Sequence, residues 1–382
     1  MTYYIISGEA SGDLHGSNLI KELHLIDGDA HIRCWGGDLM EAAGATLVKH
    51  YRHLAFMGFT EVIKNINTIV KNIDFCKKDI LLHRPDVLIL IDYPGFNLRI
   101  AKWARQQGLK VVYYISPQIW AWKESRIHSI KKNVDQMLVI LPFEKEFYAK
   151  WDFEVEYVGH PLVEVVDRFQ AEHAGKTALQ GILGNGASEA HGNNPKIIAL
   201  LPGSRKQEIL KKLPIMLEVA KHFPDYQFVV AKAPGLPEDF YENLLSAYSN
   251  VDAVENKTYE LLSQSAAALV TSGTATLETA LFGVPEVICY KGGNISYQIA
   301  KRLIKIKYIC LVNLIMDREV VKELIQQDLT VSNLTAELNK ILFDRVHISK
   351  LQQEYASLKS LLSAGGNASA NAAKRIYQMW RH

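Results

Sequence analysis

Cysteine is scarce in this sequence. Its 382 residues hold four, Cys34, Cys76, Cys289 and Cys310, with no CxxC pair and no histidine at metal-ligand spacing. A disulfide framework and a zinc site are thereby excluded, and reduced thiols in a cytosolic protein are expected. A surplus of charge is missing too. Lys and Arg number 43 against 41 Asp and Glu, a net charge of +2. A nucleic-acid binder shows a basic stripe and a high pI, so no nucleic-acid partner is expected. No apolar run approaches the roughly 18 residues that a spanning helix needs. The chain is therefore not expected to be integral to a membrane, although it could touch one. The opening residues Met1-Thr2-Tyr3-Tyr4-Ile5-Ile6-Ser7-Gly8 lack a basic segment and a small-residue cleavage site, and read as a first strand rather than a signal peptide.

What is present is an alternation. Hydrophobic residues make up 48% and charged residues 22%, enough to bury two cores, and the length suggests two domains. Strand patterns fall at Tyr3–Ser7, His31–Trp35, Val87–Ile91, Val111–Ile115, Gln136–Ile140 and Val155–Val158. Several are continuously apolar, as strands buried on both faces should be. Helical stretches lie between most of them, so βαβ units and a parallel sheet follow. Residues 168–195 are rich in Gly, Ala, Asn and Ser and read as a connection. A second series then runs through Lys196–Leu201, Phe228–Ala231, Val251–Ala253, Ala267–Thr271 and Glu286–Tyr290, and the chain closes on a helical stretch, Lys350–Trp380. The expected class is α/β, with two Rossmann-like domains whose parallel sheets face each other across a cleft. The first spans 1–167 with 350–382 packing back on it, and the second spans 196–349.

Ligands of open α/β sheets sit outside the carboxyl ends of the strands, so five loops matter. Gly8-Glu9-Ala10-Ser11-Gly12-Asp13 has two glycines where a ligand could approach backbone N–H groups, but it is not GxGxxG. It reads equally as an ordinary βα turn capped by Ser11 or Asp13. In Asp92-Tyr93-Pro94-Gly95-Phe96-Asn97, Asp92 stands at the end of a central strand, where a carboxylate could take a proton from an attacking hydroxyl; Asp-x-Pro-Gly is also a plain turn. Ser116-Pro117-Gln118-Ile119-Trp120-Ala121-Trp122 offers indole faces suited to sugar rings or acyl chains, or a loop packed on its own Trp120 and Trp122. Pro202-Gly203-Ser204-Arg205 opens the second series. There Gly203 frees the turn, and Ser204 and Arg205 could grip phosphate oxygens. Ser272-Gly273-Thr274-Ala275 places donors at a helix start suited to a diphosphate, and Glu278, one turn on, could accept from a ribose diol. A Ser/Thr cap followed by Glu is also a normal helix start.

Two further patterns call for a reading. Asp27-Gly28-Asp29 has the form of a metal-binding DxD, yet it follows a helix and precedes a strand, at the wrong end of the sheet, so a helix-ending turn is expected. From Leu54 onward, Phe56, Met57 and Phe59 precede Val62, Ile63, Ile66, Ile69, Val70 and Ile73 at helical spacing, punctuated by Lys64, Lys71, Lys77 and Lys78. An amphipathic helix on its sheet explains this; an interfacial lipid surface is the sharper alternative.

The loops together resemble the lipid-A-disaccharide synthase family, bacterial glycosyltransferases of the GT-B fold. The resemblance rests on Ser7-Gly8-Glu9-Ala10-Ser11-Gly12-Asp13, Leu54-Ala55-Phe56-Met57-Gly58, Ile91–Asn97, Ser116–Lys123, Leu141-Pro142-Phe143-Glu144, Val158-Gly159-His160, Leu200–Arg205, Ser272–Ala275 and Leu311-Val312-Asn313-Leu314, in family order over nearly the whole chain. It implies transfer of 2,3-diacylglucosamine from its UDP derivative to 2,3-diacylglucosamine 1-phosphate, giving a β-1,6-linked disaccharide and UDP, with no metal or other cofactor. It also implies peripheral attachment to the cytoplasmic side of the inner membrane and a homodimer, exchange of C-terminal domains being one arrangement. Asp92 would be the base. Gly203, Ser204, Arg205, Ser272, Gly273, Thr274, Ala275, Glu278 and Asn313 would hold the nucleotide. Gly8, Glu9, Ser11, Gly12, Asp13, Ser116, Trp120 and Trp122 would line the acceptor side, and Phe56, Met57, Phe59, Val62, Ile63, Ile66, Ile69 and Val70 would face lipid. Family members often carry an acid where this chain has Gly95. The same fold also serves UDP-N-acetylglucosamine epimerases and peptidoglycan glycosyltransferases, and a non-catalytic nucleotide- or lipid-binding module is a further alternative.

Overall fold

The computed structural model describes residues 1–54, 66–174, 196–233, 235–293 and 306–379. They divide into two compact units, Met1–Pro161 with Leu362–His382, and Leu162–Leu361. The helix Pro161–Glu172 and the helix Arg345–Ser363 up to Leu361 thus cluster with the second unit, not the first.

The first unit is built on β1 (Thr2–Ile6), β2 (His31–Gly36), β3 (Thr46–His50), β4 (Val87–Ile91), β5 (Lys110–Tyr114), β6 (Gln136–Val139) and β7 (Glu156–Tyr157). They form a seven-stranded sheet in the order β3-β2-β1-β4-β5-β6-β7, and its neighbouring strands are parallel. Parallel strands need helical crossovers, which cover both faces, and β4 accordingly has all five positions buried. Trp35, Tyr4, Leu88, Leu90 and Phe96 belong to one core cluster. A buried polar relay ties the strands to the helix Ile66–His83. The Trp35 indole N–H donates to the Tyr4 hydroxyl at 2.8 Å, that hydroxyl donates to Asp79 at 2.7 Å, and Arg33 meets both Asp79 oxygens at 2.8 Å. Burial alone would raise the Asp79 acid, but the bonds from Arg33 and Tyr4 outweigh it and hold the carboxyl below its ordinary value.

The C-terminal helix Ala368–Gln378 packs on the helix Ala10–Ile26 in this same unit. Gly159 and Gly365 make the return possible, since a Cβ on Gly365 would lie 2.3 Å from the Gly159 nitrogen. Asn371 closes the joint by donating to the Val158 carbonyl at 3.1 Å.

The second unit holds β8 (Lys196–Leu201), β9 (Tyr226–Lys232), β10 (Val251–Glu255), β11 (Ser265–Thr271), β12 (Glu286–Tyr290) and β13 (Lys322–Ile325). Their order is β10-β9-β8-β11-β12-β13, again parallel. In each sheet the strand order reverses once, between β1 and β4 in the first and between β8 and β11 in the second. Loops leaving the two central strands then diverge and open a crevice, the usual ligand position in such sheets.

The four cysteines are free and buried. Among the described residues, no helix is long and apolar enough to cross a membrane.

Candidate functional site

The loops singled out from sequence leave the strands that flank these two reversals. After β8, Gly203 takes φ +114, a left-handed conformation that favours glycine, and the helix Lys206–Ala220 begins two residues past Ser204. After β11, Gly273 caps the helix Thr274–Leu281. The first N–H groups of a helix have no partner inside it. Gly203, Ser204, Ser272, Gly273, Thr274, Ala275 and Glu278 all line one cavity of about 320 Å³, together with Glu208, Lys232, Thr258 and Thr271. A helix N-terminus contributes only about 0.3–1 kcal/mol to an anion. Tight hold on a diphosphate thus needs both loops together with nearby side chains.

Glu278 is held rather than loose. The Tyr259 hydroxyl donates to its Oε1 at 2.7 Å. Burial raises the Glu278 acid above its ordinary value, and the Tyr259 bond opposes that rise. Tyr259 is itself fixed by Phe169 and Phe282, with ring centroids at 5.5 and 5.2 Å.

Two expected nucleotide ligands are engaged within the fold. Arg205 is exposed, does not line the cavity, and pairs through Nη1 with Glu208 at 3.0 Å. Asn313 is fully buried. Its Oδ1 accepts from the Val320 and Val321 amides at 2.7 and 3.0 Å, and its Nδ2 donates to the Val321 carbonyl and to Glu323 at 2.8 and 3.0 Å. Its amide braces the loop before β13.

In the first unit, the turns after β1 and β4 interlock. A Cβ on Gly8 would stand 2.4 Å from the Tyr93 ring, and one on Gly12 would stand 2.6 Å from the Ser7 hydroxyl, so glycine is required for the approach. Asp92 and Tyr93 both adopt left-handed backbone, φ +42 and +49. Consecutive non-glycine residues there are strained and persist only when overdetermined. The restraints are visible. The Asp92 carbonyl accepts from the Tyr113 hydroxyl at 2.5 Å and from Asn97 Nδ2 at 2.8 Å; the same Asn97 amide also meets the Ile91 and Ile6 carbonyls at 3.1 and 3.3 Å. Burial, and after it the Glu9 carboxylate, push the Asp92 acid up to about 7, against the pull of the Tyr93 backbone N–H. An acid poised there can accept a proton at neutral pH and hand it on.

Several other candidates make bonds within the fold. Asp13 does not cap its own helix, whose N-cap Glu9 makes no side-chain capping bond. Its carboxylate accepts from the Gly37, Leu39 and Met40 amides at 2.7, 3.1 and 3.1 Å, capping the neighbouring helix Asp38–Ala42, so neither Ser11 nor Asp13 fills the expected cap. Ser11 is exposed. Ser116 shares a 2.6 Å bond with the buried Tyr148 hydroxyl. Trp120 is buried, edge-on to Phe143, with its indole N–H on Glu144 at 3.2 Å. The packed-loop reading therefore holds for Trp120. Burial lifts the Glu144 acid to about 7.

Asp27 ends the helix Ala10–Ile26 and a turn follows it, with the Asp27 carboxylate on the Met1 amine at 2.9 Å and the Tyr3 hydroxyl at 3.1 Å. Of the lipid-facing candidates, Phe56, Met57, Phe59, Val62 and Ile63 lie outside the described residues, as do the side chains of Ile66 and Trp122. On the helix Ile66–His83, Ile69 packs partly on the core, whereas Val70 is 48% exposed.

Sequence reasoning overlooked Asn97 and Tyr113 as braces of Asp92, and Tyr259, Glu208 and Lys212 in the second unit. The last two carried a signal, since Arg205, Glu208 and Lys212 are charges at helical i, i+3 and i+4 spacing.

Two parallel sheets of this kind, with ligand-type loops at each reversal, are those of the GT-B sugar-nucleotide enzymes. Solved structures with the same fold include a UDP-GlcNAc 2-epimerase from Neisseria meningitidis bound to UDP-GlcNAc (TM-score 0.67, 14% identity, 99% of both chains) and the glycosyltransferase of kitacinnamycin (TM-score 0.64, 15% identity, 99% of this chain and 98% of that one). Within that class the chain belongs to the lipid-A-disaccharide synthetase family, whose model matches residues 3–377. The lipid-A-disaccharide synthase of Geobacter metallireducens is 39% identical over 369 residues, covering 95% of this chain and 93% of the relative. That of Nitrosococcus oceani is 38% identical, covering 94% and 92%.

Proposed function

We propose that this chain is a hexosyltransferase that moves 2,3-diacylglucosamine from UDP-2,3-diacylglucosamine onto the 6-hydroxyl of 2,3-diacylglucosamine 1-phosphate. One observation carries the reading: the family match runs through residues 3–377 and so takes in the loops at both strand reversals. The relatives favour this over an epimerase, a peptidoglycan glycosyltransferase or a non-catalytic module, because the likeness to epimerases, at 14% identity, is one of fold.

In the mechanism we infer, Asp92 takes the proton of the acceptor hydroxyl. The oxygen then bonds to the anomeric carbon from the face opposite UDP, inverting it. The bond to the diphosphate breaks, and its electron pair leaves with UDP. Donors around Ser204 and Ser272–Ala275 offset the charge growing on the leaving group, which is electrostatic catalysis. Glu278, oriented by Tyr259, accepts from the ribose hydroxyls.

The helix Ile66–His83 exposes Val70, Phe75, Leu81 and Leu82 with Lys71 and Lys78 among them. Apolar residues flanked by lysines suit an anionic membrane surface, and we propose that this face rests on the inner membrane, with the enzyme working as a homodimer. Incubation with the acylated UDP-sugar and the acylated sugar phosphate should release UDP and yield the disaccharide by mass spectrometry. Turnover of unacylated UDP-N-acetylglucosamine instead would overturn the assignment.

A further inference from the structure

The cavity of the second unit has an awkward lining. Glu208 contributes a carboxylate to the wall that is to receive a diphosphate. Its Oε2 reaches to 3.0 Å from where a Cβ on Gly203 would stand, so it lies against the phosphate-type loop itself. Left negative and unpaired, that group would repel the ligand. Two cations flank it. Arg205 Nη1 is 3.0 Å from Oε1, on a side chain 55% exposed. Lys212 Nζ is 3.9 Å from Oε2, on a side chain only 3% exposed. A buried ammonium is costly unless a counter-charge stands near it. Burial lowers the Lys212 pKa, and Glu208 is the first group that opposes the shift. The arrangement is one carboxylate between an outer, exposed cation and an inner, buried one.

We propose that Lys212 is a positioning residue for the diphosphate site: by holding the Glu208 carboxylate as its counter-ion, it frees Arg205 to exchange Glu208 for a phosphate oxygen without leaving a bare negative charge in the cavity wall. The Arg205 side chain is exposed, whereas that of Lys212 is buried. The inference rests on the reading that this cavity takes a nucleoside diphosphate, and it adds a residue with no place in the cavity wall.

The test is a double-mutant cycle read by calorimetric titration with UDP on the full-length protein. Lys212→Met keeps the apolar stem and removes the charge. It should weaken UDP binding roughly tenfold or more, as removal of one partner of a buried charge pair does. Glu208→Gln removes the unwanted charge and should bind UDP as tightly as the unaltered protein, or more tightly. The pair Glu208→Gln with Lys212→Met should recover to within about twofold of Glu208→Gln alone, showing that Lys212 acts through Glu208. Lys212→Met with unchanged affinity would overturn the inference. So would a double variant as weak as Lys212→Met, because Lys212 would then serve the ligand or the fold directly. Should Lys212→Met not fold, Glu208→Gln decides alone, and weaker binding by that variant sinks the idea. Absence of UDP binding by the unaltered protein would instead remove the nucleotide reading of the cavity.

Discussion

The two strand reversals solve opposite problems with the same topology. At β1 and β4 the chain is tied tightly. Two left-handed non-glycine residues are held by Tyr113 and Asn97, and one carboxyl is pushed up to about 7. At β8 and β11 the loops are more open: Ser204, Gly273 and Thr274 are exposed, although the Ser272 hydroxyl donates to the Ile309 carbonyl at 2.8 Å, and a helix start offers N–H groups that its own turns do not use. A base must be desolvated and fixed before it can take a proton near neutral pH. A diphosphate needs donors that nothing else has claimed. The reversal supplies a crevice in both cases, and the degree of internal satisfaction decides which chemistry the crevice suits.

The largest effect expected from breaking this contrast is at the tight end. Asp92→Asn tolerates the same backbone but cannot accept the proton, and should cost roughly 10²–10⁴ in kcat while UDP affinity stays. Near-normal turnover would give the base to another group. The same variant should also gain stability relative to the unaltered protein as pH rises. The folded Asp92 pKa is raised, so the native protein loses stability as pH climbs from the ordinary carboxylate range towards about 7. The advantage of Asn in urea unfolding should therefore be larger at pH 8 than at pH 4.

Next in size is Asn313→Ala. Two backbone amides lose their acceptor, at about 1–3 kcal/mol each, so a stability loss of about 2–6 kcal/mol is expected by urea titration. A fall in UDP affinity with stability intact would instead return Asn313 to the nucleotide site.

Tyr259→Phe removes one bond to Glu278, and hydrogen bonds to charged groups are worth about 1.5–3 kcal/mol. Donor KM should rise about tenfold or more while kcat changes little; an equal fall in kcat with KM unchanged would mean that Tyr259 acts at the reacting centre.

Glu9→Gln sharpens the contrast by altering only the field at Asp92. The Glu9 charge raises the Asp92 pKa, so its removal should move the acid limb of kcat/KM to lower pH. A limb that stays in place would mean that burial alone sets the value.

Much of this was readable from the chain, and what was not shares one cause. The five buried positions of β4 appear as an unbroken apolar run, because crossover helices leave neither face wet. β3 and β13 escaped notice. Each is an edge strand, Thr-Leu-Val-Lys-His and Lys-Glu-Leu-Ile, with too little burial to impose a pattern. The loops at the reversals were legible because a strand end marks them. Whether their polar groups were already spent was not. Asp13 finds its partners at Gly37 to Met40, Trp120 at Glu144 and Asn97 at Ile6, contacts across 24 residues or more. Local spacing carries no trace of such pairings.

The smallest effect concerns Gly95, three residues past Asp92. Gly95 sits in the first turn of the helix Pro94–Gln106, exposed, with nothing within 4 Å of a built Cβ and no left-handed backbone. An aspartate there meets no steric obstacle and stands where a helix favours negative charge, by about 0.3–1 kcal/mol. Gly95→Asp should therefore leave stability within about 0.5 kcal/mol or raise it slightly. Its other consequence is electrostatic. A new carboxylate three residues from Asp92 would add to the field of Glu9 and push the acid limb of kcat/KM to higher pH. If turnover rises in Gly95→Asp and survives Asp92→Asn in that background, the base can be relocated along this loop, and the tight reversal supplies a site for an acid rather than a role for Asp92 alone.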